Sequence, residues 1–233
     1  MGSITNEMTS SKTGTFYFAF GSNLSPTQMR GRLDSSLTSS IPIAIASLPG
    51  WKWLICQRGY ANIVELPSDT LNSDSSTVWG VLYNLTPDDE EILDMYEGHD
   101  EGRNPKPKPN PDVSQRMRKP FEQGDWDYNK HYLPVTVAKW LVEPMTFGLR
   151  EGTSSVRVLT YVDEFRTVEG TIKQEYIGRM NRAMDESVQL GMPRSWCEKV
   201  MRKWVAEGVY PPPKYIGTSQ GYVEEDEVGT EAS

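Results

Sequence analysis

Apolar runs separated by turn-forming clusters divide the chain into short elements of two periodicities. Residues 15–20, aromatic and small, predict a buried strand that stops at Gly21-Ser22-Asn23. Ser25-Pro26-Thr27-Gln28 has the form of a capping box with proline at the first helical position, so a short helix is predicted over 25–33. Further runs at 41–48, 51–55, 61–66 and 78–83 are punctuated by Pro49-Gly50, Gly59 and a Ser/Asp-rich linker at 68–77. They predict successive strands of one mixed or antiparallel sheet. Thr86-Pro87-Asp88-Asp89 repeats the helix-start pattern, Ile92, Leu93 and Tyr96 supply its apolar face, and Gly98 ends it. Residues 100–131 hold five prolines and little periodicity, which predicts a long loop. Strands return at 132–142 and 156–161. Beyond them, Tyr176, Ile177, Met180, Met184 and Val188 share one helical face, and Trp196, Val200 and Trp204 another. Both stripes read as core.

This order predicts a polar leader at 1–14, a single domain over 15–210 with a long insertion at 99–131, and a Pro-rich, acidic and mobile tail at 211–233. At 233 residues the chain is long enough for one sizeable core. The net charge of −8 and pI near 4.9 argue against nucleic acid or an anionic membrane as a partner. The first fifteen residues lack the apolar centre of a secretory signal, so a cytoplasmic location is expected. Cys56 and Cys197 lie far apart with no zinc-type spacing and read as reduced, packed thiols. His99 and His131 flank the insertion and, with Asp100 and Glu101, could mimic metal ligands; on a proline-rich segment they read as solvated side chains, and no metal is expected.

Two positions carry chemistry. Backbone N–H groups at Gly21-Ser22-Asn23-Leu24, between a strand end and a helix start, suit a carboxylate or a developing oxyanion. A plain strand-to-helix turn has the same composition. Glu97 stands at the C-terminal end of its helix, where the macrodipole disfavours a negative charge, so local stability does not account for it. A solvated surface acid is the bland alternative.

Taken together, Tyr17-Phe18-Ala19-Phe20-Gly21-Ser22-Asn23-Leu24, Val78-Trp79-Gly80-Val81-Leu82-Tyr83 and Asp94-Met95-Tyr96-Glu97-Gly98 resemble, in order, three segments of the γ-glutamyl cyclotransferase family. Lys173-Gln174-Glu175-Tyr176-Ile177 is similar to a helix start whose tyrosine helps close the family's substrate site, and Met192-Pro193 to Val205 is similar to its final helix. The resemblance covers about 15–205. It implies an α+β fold, a small mixed β-barrel or curved sheet with flanking helices, and an activity that cyclises the glutamyl part of a γ-glutamyl amide to 5-oxoproline. Under it Glu97 is the catalytic acid/base. Tyr17, Phe18, Ala19, Phe20, Gly21, Ser22, Asn23, Leu24, Tyr132 and Tyr176 are expected to bind substrate. No cofactor is implied, the expected partner is a small γ-glutamyl compound, and a homodimer is left open. Phe20 replaces the family's usual second tyrosine, so that hydroxyl is absent. The insertion at 99–131 is longer than the family's short connection and leaves the leaving group open among an amino acid, a Cys-Gly dipeptide, an amine and a larger metabolite. Starting beside Glu97, with Arg103, Lys106, Lys108, Arg116, Arg118 and Lys119 against Asp112, it is expected to form a lid that attracts an anionic substrate or leaving group. The rival to an enzyme is a non-catalytic module keeping the same fold and pocket to bind a small molecule.

Overall fold

The computed structural model describes residues 14–33, 38–67, 76–99 and 108–208, with short backbone segments at 215–216 and 223–224. The leader through residue 13, the start of the insertion at 100–107 and most of the tail lie outside the described residues. Nine strands and five α-helices occur among those described. In chain order they are β1 (Thr15–Ala19), α1 (Pro26–Arg32), β2 (Ala44–Pro49), β3 (Trp51–Ile55), β4 (Ala61–Glu65), β5 (Thr77–Leu85), α2 (Pro87–Tyr96), α3 (Val113–Arg116), β6 (Asn129–Trp140), β7 (Ser155–Val162), α4 (Gln174–Leu190), α5 (Arg194–Val200), β8 (Tyr215–Ile216) and β9 (Val223–Glu224).

Five strands close into a barrel in the order β1-β5-β2-β6-β7. All pairings are antiparallel except β1 with β7, which closes the ring in parallel where Tyr17 meets Leu159. Closure leaves these strands no free hydrogen-bonding edge. Phe18, Ile45, Val81, Leu82 and Leu159 are fully buried, at roughly 1.5–3 kcal/mol for each large side chain. The expected α+β class with a small mixed barrel is the observed one.

One expectation changes. β3 and β4 form a separate hairpin, paired Trp51 to Glu65 through Ile55 to Ala61, rather than joining the main sheet. Only Gly50 separates β2 from β3, and β2 already has β5 on one edge and β6 on the other. With no edge left, the chain must turn out of the barrel. The hairpin is tied back by Trp53, whose indole N–H donates to the Phe20 carbonyl at 2.9 Å.

Both capped helices form where the sequence places them. The Ser25 hydroxyl accepts from Gln28 N–H and the Thr86 hydroxyl from Asp89 N–H. Helix α4 buries Tyr176, Met180, Ala183 and Met184, while Ile177 and Val188 pack half-buried at its flanks. The final helix is shorter than expected: α5 gives way to a 3₁₀ turn at Met201–Lys203, which keeps Trp196 and Val200 buried.

The second half of the insertion is not the structureless loop its composition predicts. Pro109 bridges Phe121, Asp112 caps α3 by accepting from Ser114 N–H at 2.8 Å, and Trp126 and Tyr128 are buried. Buried Asn129 and Gln123 serve the backbone: the amide of Asn129 donates to the Phe121 carbonyl, and that of Gln123 to the Trp126 carbonyl. Polar side chains in these roles leave no apolar period to read. Strand β6 accordingly starts at Asn129.

Glu164, just beyond β7, ties this segment to the barrel. It takes hydrogen bonds from Asn129 at 2.7 Å and Lys119 at 3.0 Å, and lies 2.7 Å from His131 Nε2. Burial alone would raise its pKa, but these partners outweigh burial and hold it at about 2. Burial pushes His131 below its ordinary value, against the pull of Glu164. Both folded values lie below the unfolded ones. Their stabilisation is therefore present above about pH 6.5 and is lost as pH falls, first through His131 and then, below about 4.5, through Glu164. Urea unfolding should show Glu164→Gln less stable than the parent by on the order of 2 kcal/mol at pH 7, with the gap narrowing between pH 5 and 3. A gap that stays constant over that range would contradict this role.

Candidate active site

Between the end of β1 and the start of α1 the chain makes a 3₁₀ turn at Ser22–Leu24, closed by Leu24 N–H donating to the Gly21 carbonyl at 2.9 Å. Three tyrosines hold this turn from different elements. Tyr83 of β5 donates to the Asn23 carbonyl at 3.1 Å, Tyr176 of α4 accepts from Ser22 N–H at 3.1 Å, and Tyr17 of β1 accepts from the Asn23 side-chain amide at 2.9 Å. From α1 and α4, Gln28 and Arg179 both donate to the Ser22 hydroxyl. Ser22 N–H and Leu24 N–H are thus committed inside the protein. Of the turn's amides, those of Gly21 and Asn23 donate to no described residue, a smaller uncommitted set than the sequence suggests.

Glu97 caps the C-terminus of α2. Gly98 follows with φ 65°, and a Schellman pair closes the helix: Gly98 N–H to the Met95 carbonyl at 3.2 Å and His99 N–H to the Asp94 carbonyl at 2.8 Å. A side chain at 98 would be strained by that φ and would collide with Asp127, 2.9 Å from the would-be Cβ. The carboxylate meets the helix's negative pole but is offset by Arg32, from the last turn of α1, whose Nη1 donates to Oε1 at 2.9 Å. The Asn23 amide donates to the same oxygen at 2.9 Å. Oε2 accepts from no described residue.

Around these groups lies a cavity of about 300 Å³. Tyr17, Phe20, Gly21, Ser22, Asn23, Glu97 and Tyr176, all singled out from sequence, line it. Phe18, Ala19 and Leu24 do not; they are fully buried core behind the turn. Tyr132 also lies outside. The β6–β7 register sets it opposite Leu159, and its charged surroundings are Glu90, Lys130, Asp94 and Arg157, on the α2 side of the barrel. Burial raises the Tyr17 hydroxyl well above its ordinary pKa, with Glu97 adding to the effect, so the phenol keeps its proton. Tyr128, Tyr161 and Tyr176 are raised too, first by burial.

Sequence reasoning misses Arg32, Arg58, Tyr60, Asp127, Tyr128 and Arg179, all of which line the cavity. Arg179 has a usable signal, since it follows Tyr176 by one helical turn on α4. Arg58 and Tyr60 sit in the β3–β4 turn, and Asp127 and Tyr128 in the insertion, where no periodicity marks them. Arg58 pairs with Asp127, lies 3.6 Å from Asp163, and stacks over the Tyr128 ring at 4.5 Å. Of the expected basic patch, Arg118 makes a two-point bond to Glu65 and Lys119 pairs with Glu164, Lys108 is exposed, and Arg103 and Lys106 lie outside the described residues. His99 and His131 are buried rather than solvated, and no cluster of three or more His, Cys, Asp or Glu among the described residues could hold a metal ion. No helix among them is long and apolar enough to cross a membrane.

No protein-family model and no curated protein matches the sequence. Solved structures do match in fold. A protein described as gamma-glutamyl cyclotransferase superposes with TM-score 0.51 at 18% identity, over 88% of this chain and 92% of its own. An uncharacterized Homo sapiens protein gives TM-score 0.50 at 18% identity, over 89% and 94%. YkqA of Bacillus subtilis gives 0.54 at 17%, over 85% of this chain but 57% of its own.

Gly21 has φ −106°, open to any residue, so its reason is space: a Cβ there would sit 2.9 Å from the Tyr176 hydroxyl and 3.3 Å from Ala61 Cβ. Gly21→Ala should cost about 1–3 kcal/mol in urea unfolding. In Gly21→Ala/Tyr176→Phe the two costs should sum to less than their separate values, because removing the hydroxyl relieves the overlap. Strict additivity would show that the hydroxyl is not what the new methyl meets.

Proposed function

Since this chain has the γ-glutamyl cyclotransferase-like fold, we propose that it is a cyclotransferase that converts a γ-glutamyl amide into 5-oxoproline and a free amine. The observation that carries this reading is Glu97, fixed through one oxygen by Asn23 and Arg32, with its other oxygen uncommitted beside the 20–24 turn.

The substrate's α-amine is protonated in water and cannot attack until a base takes a proton. Glu97 Oε2 serves as that base. The freed nitrogen attacks the γ-carbonyl carbon, forming the new C–N bond of a five-membered ring and a tetrahedral intermediate with charge on oxygen. The remaining amides of the turn, Gly21 and Asn23, stabilise that oxygen or the glutamyl carboxylate without moving. Protonated Glu97 then gives its proton to the departing nitrogen, the old C–N bond breaks, and the carboxylate takes the ring nitrogen's second proton and passes it to the released amine, so that 5-oxoproline leaves neutral at nitrogen and the amine leaves protonated. Because the nucleophile is intramolecular, holding the glutamyl chain curled supplies much of the acceleration. The turn's rigidity supports this role: partners on β1, β5, α1 and α4 hold it.

Incubation with a panel of γ-glutamyl amino acids, peptides and amines, followed by mass spectrometry of 5-oxoproline, tests the proposal directly. Glu97→Gln keeps shape and hydrogen bonding but cannot take a proton, so turnover should fall about 100-fold or more while binding persists. Release of 5-oxoproline at the parental rate would overturn Glu97 as the base. Binding without release in either protein would favour the non-catalytic module.

A further inference from the structure

The charged groups lining the cavity differ in how far solvent reaches them. Side chains of Arg32, Glu97, Arg58 and Arg179 are only 13–16% exposed, whereas that of Asp127 is 49% exposed. The cations are compensated from within: Arg32 by Glu97, Arg58 by Asp127 and Asp163, and Arg179 by Glu175 with bonds to Ser22 and Gln28. Asp127 is engaged on one side only. Oδ1 meets Arg58, while Oδ2, set against Gly98, accepts from no described residue.

Its place in the fold is equally specific. Asp127 N–H donates to the Gly98 carbonyl at 3.2 Å, and its side chain lies against Gly98, so it is packed beside the residue that follows Glu97. The next residue, Tyr128, is anchored by its hydroxyl to the Ala61 carbonyl at 2.9 Å. The cavity therefore has one part made by the 20–24 turn and Glu97, and an outer part made by the β3–β4 turn and Asp127-Tyr128, where Asp127 reaches solvent. A glutamyl group seated against the turn directs its amide substituent to the outer part.

From this geometry we infer that Asp127 reads the leaving group and favours one that carries a second, cationic amine, as in the mono-γ-glutamyl amide of a diamine. An ammonium meets the uncommitted Oδ2, while a carboxylate there meets an arginine already shared by two aspartates. The whole chain, at −8, adds long-range attraction for a cation. This reverses the anionic preference that the insertion's basic residues suggest in the sequence. It rests on the cyclotransferase reading for the seating of the glutamyl half.

Calorimetric binding to Glu97→Gln, which does not consume its ligand, separates the two claims. The ligands are three γ-glutamyl amides: of 1,4-diaminobutane, of n-butylamine, and of alanine. The diamine amide should bind about fivefold more tightly than the butylamide at low salt, the size expected of one half-exposed charge pair, and the gap should shrink as salt rises. Adding Asp127→Asn should remove most of that gap. Equal affinities for all three, a preference for the alanine amide, or a preference that survives Asp127→Asn overturns the assignment while leaving the cyclotransferase reading intact. Failure of all three to bind, together with no 5-oxoproline from the parent, overturns both.

Discussion

The side chain of Asn23 joins the two halves of the site. One amide nitrogen donates to both Tyr17 Oη and Glu97 Oε1, and its oxygen accepts from Gln28. It is 3% exposed, so both ends of the amide must find partners inside the protein. A carboxylate from the end of α2 is thereby registered against Asn23, 74 residues earlier in the chain. Glu97 cannot drift without leaving one N–H of that buried amide unpaired, which costs about 1–3 kcal/mol.

Much of the architecture serves that registration. The barrel places Tyr17 and Tyr83 opposite one another on β1 and β5, both aimed at the turn. The Schellman closure at Gly98 stops α2 where Glu97 can turn inward, and Arg32 brings the compensating charge from α1. Trp53 and Tyr176 then fasten the hairpin and α4 to the same few residues. A pocket braced from several elements, with Arg32, Glu97, Arg58 and Arg179 largely shielded from solvent, suits the proposed cyclisation, which depends on holding one flexible chain in one curl.

What the sequence made legible follows from how local each signal is. Ser25-Pro26 and Thr86-Pro87 announce helices because capping is settled within four residues, and Glu97-Gly98 marks a helix end for the same reason. The strand runs of the barrel read correctly through their buried apolar content. The separate β3–β4 hairpin did not, because whether β2 has a free edge depends on β5 and β6, far along the chain. Arg58 and Asp127 were invisible for a related reason: each is an ordinary charged loop residue until the hairpin turn meets the insertion. The insertion itself is held by Asn129, Gln123 and Glu164, and buried polar networks leave no hydrophobic period. Tyr132, drawn in by resemblance, lies outside the cavity because the register turns it toward α2.

A double-mutant cycle on Asn23→Ala and Glu97→Gln, read as kcat/KM for 5-oxoproline release, tests whether the two act as one unit. If Asn23 works by fixing Glu97, its loss should cost the parent about tenfold or more yet add little once Glu97 is already an amide, since residues of one catalytic unit are strongly non-additive. Multiplicative losses, with the double variant slower than Glu97→Gln by the full Asn23→Ala factor, would contradict the account.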